Sequence, residues 1–176
     1  MTGDEIFSRS DLVFSAEEVG AAYVRLAREI TETLGEGNPL VLCVMKGAVV
    51  FAGQLLPLLR FPLDFDYVHA TRYRNETVGG EIDWRVFPDT QMAGRQVLIL
   101  DDILDEGHTL AAIRQRCLDA GATAFYSAVL LEKLLDKPKP VHADFIGLQV
   151  PDRYVFGCGM DVNGLWRNLP AIYALR

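Results

Sequence analysis

At 176 residues, 50% of them hydrophobic, the chain is long enough for one domain with a real core and too short for a second independent one. A net charge of −7 and a sequence pI near 4.9 argue against a nucleic-acid partner, whose electrostatic footprint is a basic stripe. Cys43, Cys117 and Cys158 are odd in number and lack any CxxC pairing, so neither a disulfide framework nor a zinc knuckle is expected, and a reducing, cytoplasmic compartment is.

The chain opens Met1-Thr2-Gly3-Asp4-Glu5, with acids where a signal peptide carries bases. Ser15-Ala16-Glu17-Glu18 is a capping box, and Val19, Tyr23, Leu26, Ala27, Ile30 and Leu34 continue it at helical spacing until Gly35 and Gly37 close the segment. Pro39 to Val44 reads as a buried strand. Met45-Lys46-Gly47 then turns the chain into an apolar helix over Ala48 to Leu59, shortened or kinked by Pro57. Lys46, Gln54 and Pro57 interrupt this longest apolar stretch, so no membrane span is expected.

From Leu63 the side chains alternate, as on a half-exposed strand, and a second alternating run covers Ile82 to Phe87. Between them lie Arg72, Tyr73, Arg74 and two adjacent glycines, Gly79 and Gly80. That composition suits a lid over a phosphate-rich ligand, or an ordinary surface loop.

The run Val97-Leu98-Ile99-Leu100 is apolar throughout, as in a parallel strand covered on both faces. Asp101 and Asp102 follow at its carboxyl edge, where open α/β sheets bind ligands. Asp105-Glu106-Gly107-His108-Thr109 is a polar turn into a helix carrying Leu110, Ile113 and Cys117. A helix start presents free N–H groups and a positive dipole end, which suits phosphate. Carboxylates beside a phosphate cradle make sense when they take sugar hydroxyls or Mg²⁺ while the amides take the phosphate.

In order and composition, residues 97–109 resemble the PRPP-binding signature of the type I phosphoribosyltransferases. Further strands follow at Phe125 to Leu131 and Asp144 to Leu148, separated by Lys137-Pro138-Lys139-Pro140, a stiff connector. Alternating βα units predict an α/β fold, a Rossmann-like doubly wound parallel sheet of roughly five strands. The C-terminal third, from Lys133 through Val150-Pro151-Asp152-Arg153-Tyr154-Val155-Phe156-Gly157, Met160-Asp161-Val162-Asn163 and Trp166-Arg167-Asn168-Leu169, resembles the hood of the hypoxanthine-guanine phosphoribosyltransferases.

The resemblance implies a single domain over residues 1–176, with a flap at about 69–86 and a hood at about 133–176. It implies that Asp101, Asp102, Asp105, Glu106, Gly107, His108 and Thr109 bind PRPP, with Asp105 as catalytic acid/base at purine N7. Met45, Lys46, Gly47 and Arg167 would hold pyrophosphate, with a cis bond before Lys46. Lys133, Tyr154, Val155 and Asp161 would bind the purine; Lys133 would donate to its 6-oxo group and Tyr154 stack on the ring. Mg²⁺ is the implied cofactor, on Asp101, Asp102 and Asp161, and Arg72 and Tyr73 belong to the implied flap. Relatives carry Ser-Tyr-Gly where this chain has Arg72-Tyr73-Arg74.

The expected activity is transfer of the phosphoribosyl group from PRPP to hypoxanthine or guanine, by a homodimer or homotetramer. Xanthine is the alternative base. A nucleotide-sensing RNA-binding regulator on this fold is opposed by the acidic balance, and a phosphoacceptor receiver would have no need of the Lys46 loop or the hood.

Overall fold

The computed structural model describes residues 2–72 and 82–176. It is an α/β molecule with two sheets. The larger takes strands β2 (Leu40–Val44), β3 (Asp64–Arg72), β4 (Ile82–Val86), β5 (Gln96–Leu104), β6 (Ala124–Leu134) and β7 (Phe145–Pro151) in the order β4-β3-β2-β5-β6-β7. Five of these are parallel, as the alternation of elements predicts. Only β4 is antiparallel, closing the β3 hairpin through His69↔Val86 and Arg72↔Ile82.

Helix α2 (Ala16–Leu34) starts on the expected box: Ser15 Oγ accepts from Glu18 N at 3.2 Å, and Ser15 N donates to the Glu18 carboxylate at 2.8 Å. Helix α3 (Val49–Leu55) is shorter than the expected span to Leu59. Pro57, which has no N–H for the α ladder, converts its end into a 3₁₀ turn over Leu56–Leu58. Helix α4 (His108–Asp119) follows β5.

Every residue of β2 is buried, and Val97 to Leu100 of β5 are fully so, because central parallel strands are covered on both faces. The connection β2-α3-β3 steps toward one edge of the sheet and β5-α4-β6 toward the other. Right-handed crossovers therefore put α3 and α4 on opposite faces. The reversal falls between β2 and β5, and such a switch point leaves a crevice beyond the strand ends.

The smaller sheet joins the two chain ends: β1 (Ser10–Phe14) pairs with β9 (Ile172–Leu175), which pairs with β8 (Val155–Phe156). Beneath it helix α1 (Gly3–Ser8) contributes Ile6 to a second core with Phe156 and Val162. Trp166 Nε1 donates to the Gly3 carbonyl at 3.0 Å, and Phe7 meets Tyr173 at 4.9 Å between ring centroids. Within the span 133–176 expected for the hood, β7 pairs in the main sheet, while residues 3–14 sit with the hood strands. The same S/T-x-x-E pattern that marks α2 recurs at Thr2 and Glu5, where it caps α1.

Candidate active site

Pairing of β2 with β5 ends at Cys43↔Leu100, whereas β5 stays paired with β6 out to Leu104↔Glu132. Asp101 and Asp102 thus lie beyond the last partner from β2, beside the turn Met45-Lys46-Gly47. The Met45–Lys46 peptide is cis. At Gly47 the backbone passes so close to Asp102 that a Cβ would overlap its carboxylate, so a larger residue there would have to displace that side chain. Lys46 is exposed, and among the described residues its ammonium has no acidic partner.

The two acids are stacked: Asp102 N donates to Asp101 Oδ1 at 3.0 Å, and Ile103 N to Asp102 Oδ1 at 2.9 Å. Burial, and then the neighbouring Asp102 charge, hold the Asp101 carboxyl well above the usual range; burial also lifts Asp102, against the pull of hydrogen bonds and of the Arg167 charge. A divalent cation relieves both the burial and the mutual repulsion of the two carboxylates. Mg²⁺ characteristically takes one or two carboxylates and completes its shell with water and substrate oxygens, so this pair fits it. Among the described residues no group of three or more His, Cys, Asp or Glu is placed to hold a metal. Asp161 is engaged elsewhere: its carboxylate meets the Arg167 guanidinium and accepts from Gly164 N at 2.7 Å.

The turn after β5 opens α4 through Gly107, whose φ of 84° is left-handed and suits a residue without Cβ. His108 is exposed at the helix start, Thr109 is half-buried beside it, and Glu106 is salt-bridged to Lys137. Asp105 accepts from Lys133 Nζ at 3.0 Å, and the same ammonium lies 3.6 Å from Asp152. One lysine thereby joins the end of β6, the turn after β5 and the entry to the hood.

The C-terminal segment packs against the Met45–Gly47 turn. Gly159 abuts the Gly47 carbonyl, and Arg167 Nη1 donates to the Gly159 carbonyl at 2.6 Å, which carries the guanidinium to the rim shared by Asp102 and Asp161. Tyr154 is half exposed, its hydroxyl donating to the Asp161 carbonyl at 3.2 Å. Val155 is buried and lies opposite Ala174 in the small sheet. Arg72 is the last residue of β3; Tyr73 and the expected flap tip lie outside the described residues.

The Met45–Gly47 turn, the paired acids, the start of α4 and a lysine with a facing aspartate thus all lie at the ends of the central strands. Residues 13–163 match the profile of the phosphoribosyl transferase domain family. The hypoxanthine-guanine phosphoribosyltransferase of Bacillus subtilis is 33% identical over 166 residues, covering 94% of this chain and 92% of its own. That of Streptococcus thermophilus is 30% identical, covering 97% and 92%. This chain belongs to the hypoxanthine-guanine phosphoribosyltransferase family. A solved Bacillus anthracis enzyme of that name superposes with a TM-score of 0.86 at 26% identity, over 94% of this chain and 98% of its own.

Within the family fold, two side chains at the crevice escape a reading by motif. Asp152 was visible only as part of a hood string, yet it faces Lys133. Lys139 reads as connector, yet its side chain is 8% exposed and donates to the Leu104 carbonyl at 3.1 Å and the Lys133 carbonyl at 2.6 Å. Two lysines spaced by prolines carry no periodicity that separates a solvated one from a buried one. The described helices include none long and apolar enough to cross a membrane.

Proposed function

We propose that this chain moves the 5-phosphoribosyl group from PRPP onto hypoxanthine and guanine, giving IMP, GMP and pyrophosphate in purine salvage. The observation that carries the reading is the convergence of the Met45–Gly47 turn, the Asp101–Asp102 edge and the Lys133–Asp105 pair at the sheet's switch point.

In this reading the amides of Glu106, Gly107, His108 and Thr109 and the Thr109 hydroxyl grip the 5′-phosphate. Asp101 and Asp102 orient the ribose hydroxyls and hold Mg²⁺, which when bound supplies countercharge for the departing pyrophosphate. The Met45–Gly47 amides, Lys46 and Arg167 take the same leaving group. The bond from C1′ to pyrophosphate oxygen breaks as a purine ring nitrogen supplies its lone pair to C1′. Asp105 exchanges the proton at N7. Lys133 donates to the 6-oxo group, an acceptor that the 6-amino group of adenine does not offer. Tyr154 covers the ring face, a stack worth about 1 kcal/mol. Val155 presents its backbone to the pyrimidine edge, and Asp161 holds Arg167 at the pyrophosphate end. Arg72 and Tyr73 begin a lid that keeps water from the cationic sugar.

Cytoplasmic residence is supported by three free, buried cysteines, whose thiols burial pushes up to about 12 for Cys43 and about 11 for Cys117 and Cys158. Assembly as a homodimer or homotetramer is supported by Phe65 and Tyr67, exposed on one face of β3, and light scattering on the purified chain tests it. The decisive experiment incubates the protein with PRPP, Mg²⁺ and each of hypoxanthine, guanine, xanthine, adenine and uracil. IMP and GMP are the expected products on chromatography. XMP as the dominant product would replace this reading with a xanthine enzyme, and no nucleotide at all would remove it.

A further inference from the structure

Lys139 is a charged side chain almost out of water at a place the reaction does not touch. It leaves the connector between β6 and β7 and puts its ammonium between two strand ends: the carbonyl of Leu104, last residue of β5, and the carbonyl of Lys133 in β6, with the Glu132 carboxylate at 3.4 Å. Successive side chains of a strand face opposite ways, so Glu132 and Lys133 point to different faces, and Lys139 works from the Glu132 side. The rest of the connector leans on the same turn. Lys137 pairs with Glu106, and the Pro140 and Val141 side chains lie where a Cβ on Gly107 would meet them at 3.5 and 3.3 Å.

We propose that Lys139 is a positioning residue for phosphoribosyl transfer: by bridging the Leu104 and Lys133 carbonyls it sets the distance between the turn bearing Asp105 and the lysine that recognises the base. This rests on the assignment of Lys133 and Asp105 to the purine made above. The Lys133 side chain is long and its ammonium is shared between Asp105 and Asp152, so its reach is only as well defined as the strand end that carries it. Catalytic geometry is sensitive to displacements of about 1 Å, and a backbone clamp is the direct means of preventing them.

The test is a double-mutant cycle of Lys139→Met and Lys133→Ala, read as kcat/KM for hypoxanthine at saturating PRPP. Methionine keeps much of the apolar stem and removes the donor, and Glu132 retains Gln149 Nε2 as a partner at 2.9 Å. Lys133→Ala should lower the value at least about tenfold, and Lys139→Met about fivefold. In the Lys133→Ala background Lys139→Met should add less than about a twofold loss, because the side chain it positions has gone. Equal losses in both backgrounds, or no loss in either, would overturn the clamp and leave the site assignment standing. An unchanged value for Lys133→Ala alone would remove the site assignment and the clamp with it. If Lys139→Met does not fold, Lys139→Gln takes its place in the same cycle, with circular dichroism to verify the fold.

Discussion

Asp105 and Lys133 form an ion pair, and the chemistry proposed for each requires the pair to separate around the purine. Asp105→Asn keeps the shape and removes the basicity. Turnover should fall at least about tenfold while PRPP affinity, measured by calorimetry, stays within about twofold. Retention of full turnover would take Asp105 out of the proton transfer. Gly47 offers a steric test on the other side of the crevice. Gly47→Ala drives a methyl into the Asp102 carboxylate, so KM for PRPP should rise about tenfold, with KM for the purine changed much less. A purine effect as large as the PRPP effect would show general collapse of the crevice. Asp105 and Gly47 were legible as motif residues because both lie within contiguous strings. Lys139 was not, since its partners are backbone atoms of strands 35 and 6 residues away.

At the scale of elements, two tethers outside the crevice hold its walls. Asp11 of β1 accepts from Arg153 at 2.9 Å and from Arg176 at 2.8 Å, and so joins the N-terminal strand to the hood and the C-terminus. The Arg176 and Arg153 hydrogen bonds hold the Asp11 carboxyl below its ordinary 3.8, so the folded state binds this proton less readily than the unfolded chain. The stability it lends is therefore present above the ordinary value and lost as pH falls through the lowered one. Asp11→Asn should lower the melting temperature slightly at neutral pH and converge on the parent in acid, which flattens the acid limb of a melting temperature against pH profile. An acid limb identical to that of the parent would assign acid sensitivity to other carboxylates. The second tether is Arg116 of α4, whose guanidinium sits 4.4 Å from the Trp84 ring centroid and 4.1 Å from that of Phe87. It fastens β4, the return strand of the hairpin, to α4, the helix whose start is proposed to take the 5′-phosphate. Arg116→Ala should cost about 1 kcal/mol in a urea titration. Neither tether shows in the sequence, because ring and cation are separated by β5 and its loops and each alone is an ordinary surface residue.

For the whole molecule, the half-buried acid pair makes stability depend on ligand. With no countercharge in place, Asp101 and Asp102 oppose folding. A Mg²⁺–PRPP complex that binds only the folded chain should stabilise it by about 2.7 kcal/mol at a hundred times its Kd. For a chain of this size that is a rise of roughly 5–10 °C in melting temperature. PRPP with EDTA should give much less, and an equal shift with and without the metal would separate Mg²⁺ from the acid pair. The fold that such binding stabilises has two cores, the large one around the parallel sheet and the small one of Ile6, Phe156 and Val162.

Sequence by itself determined the parallel α/β class, the position of the acid pair and of the turn into α4, the Lys46 turn and the family. Those properties rest on local hydrophobic period, capping and contiguous motifs, all written within a few residues of chain. Tertiary structure alone decided that residues 3–14 complete the hood, that Asp161 faces Arg167 rather than a third position beside Asp101 and Asp102, and that Lys139 lies beneath the crevice. Each of those depends on which strand ends meet in space, and pairing between distant segments is selected by burial and hydrogen bonding across the whole fold rather than by any local preference.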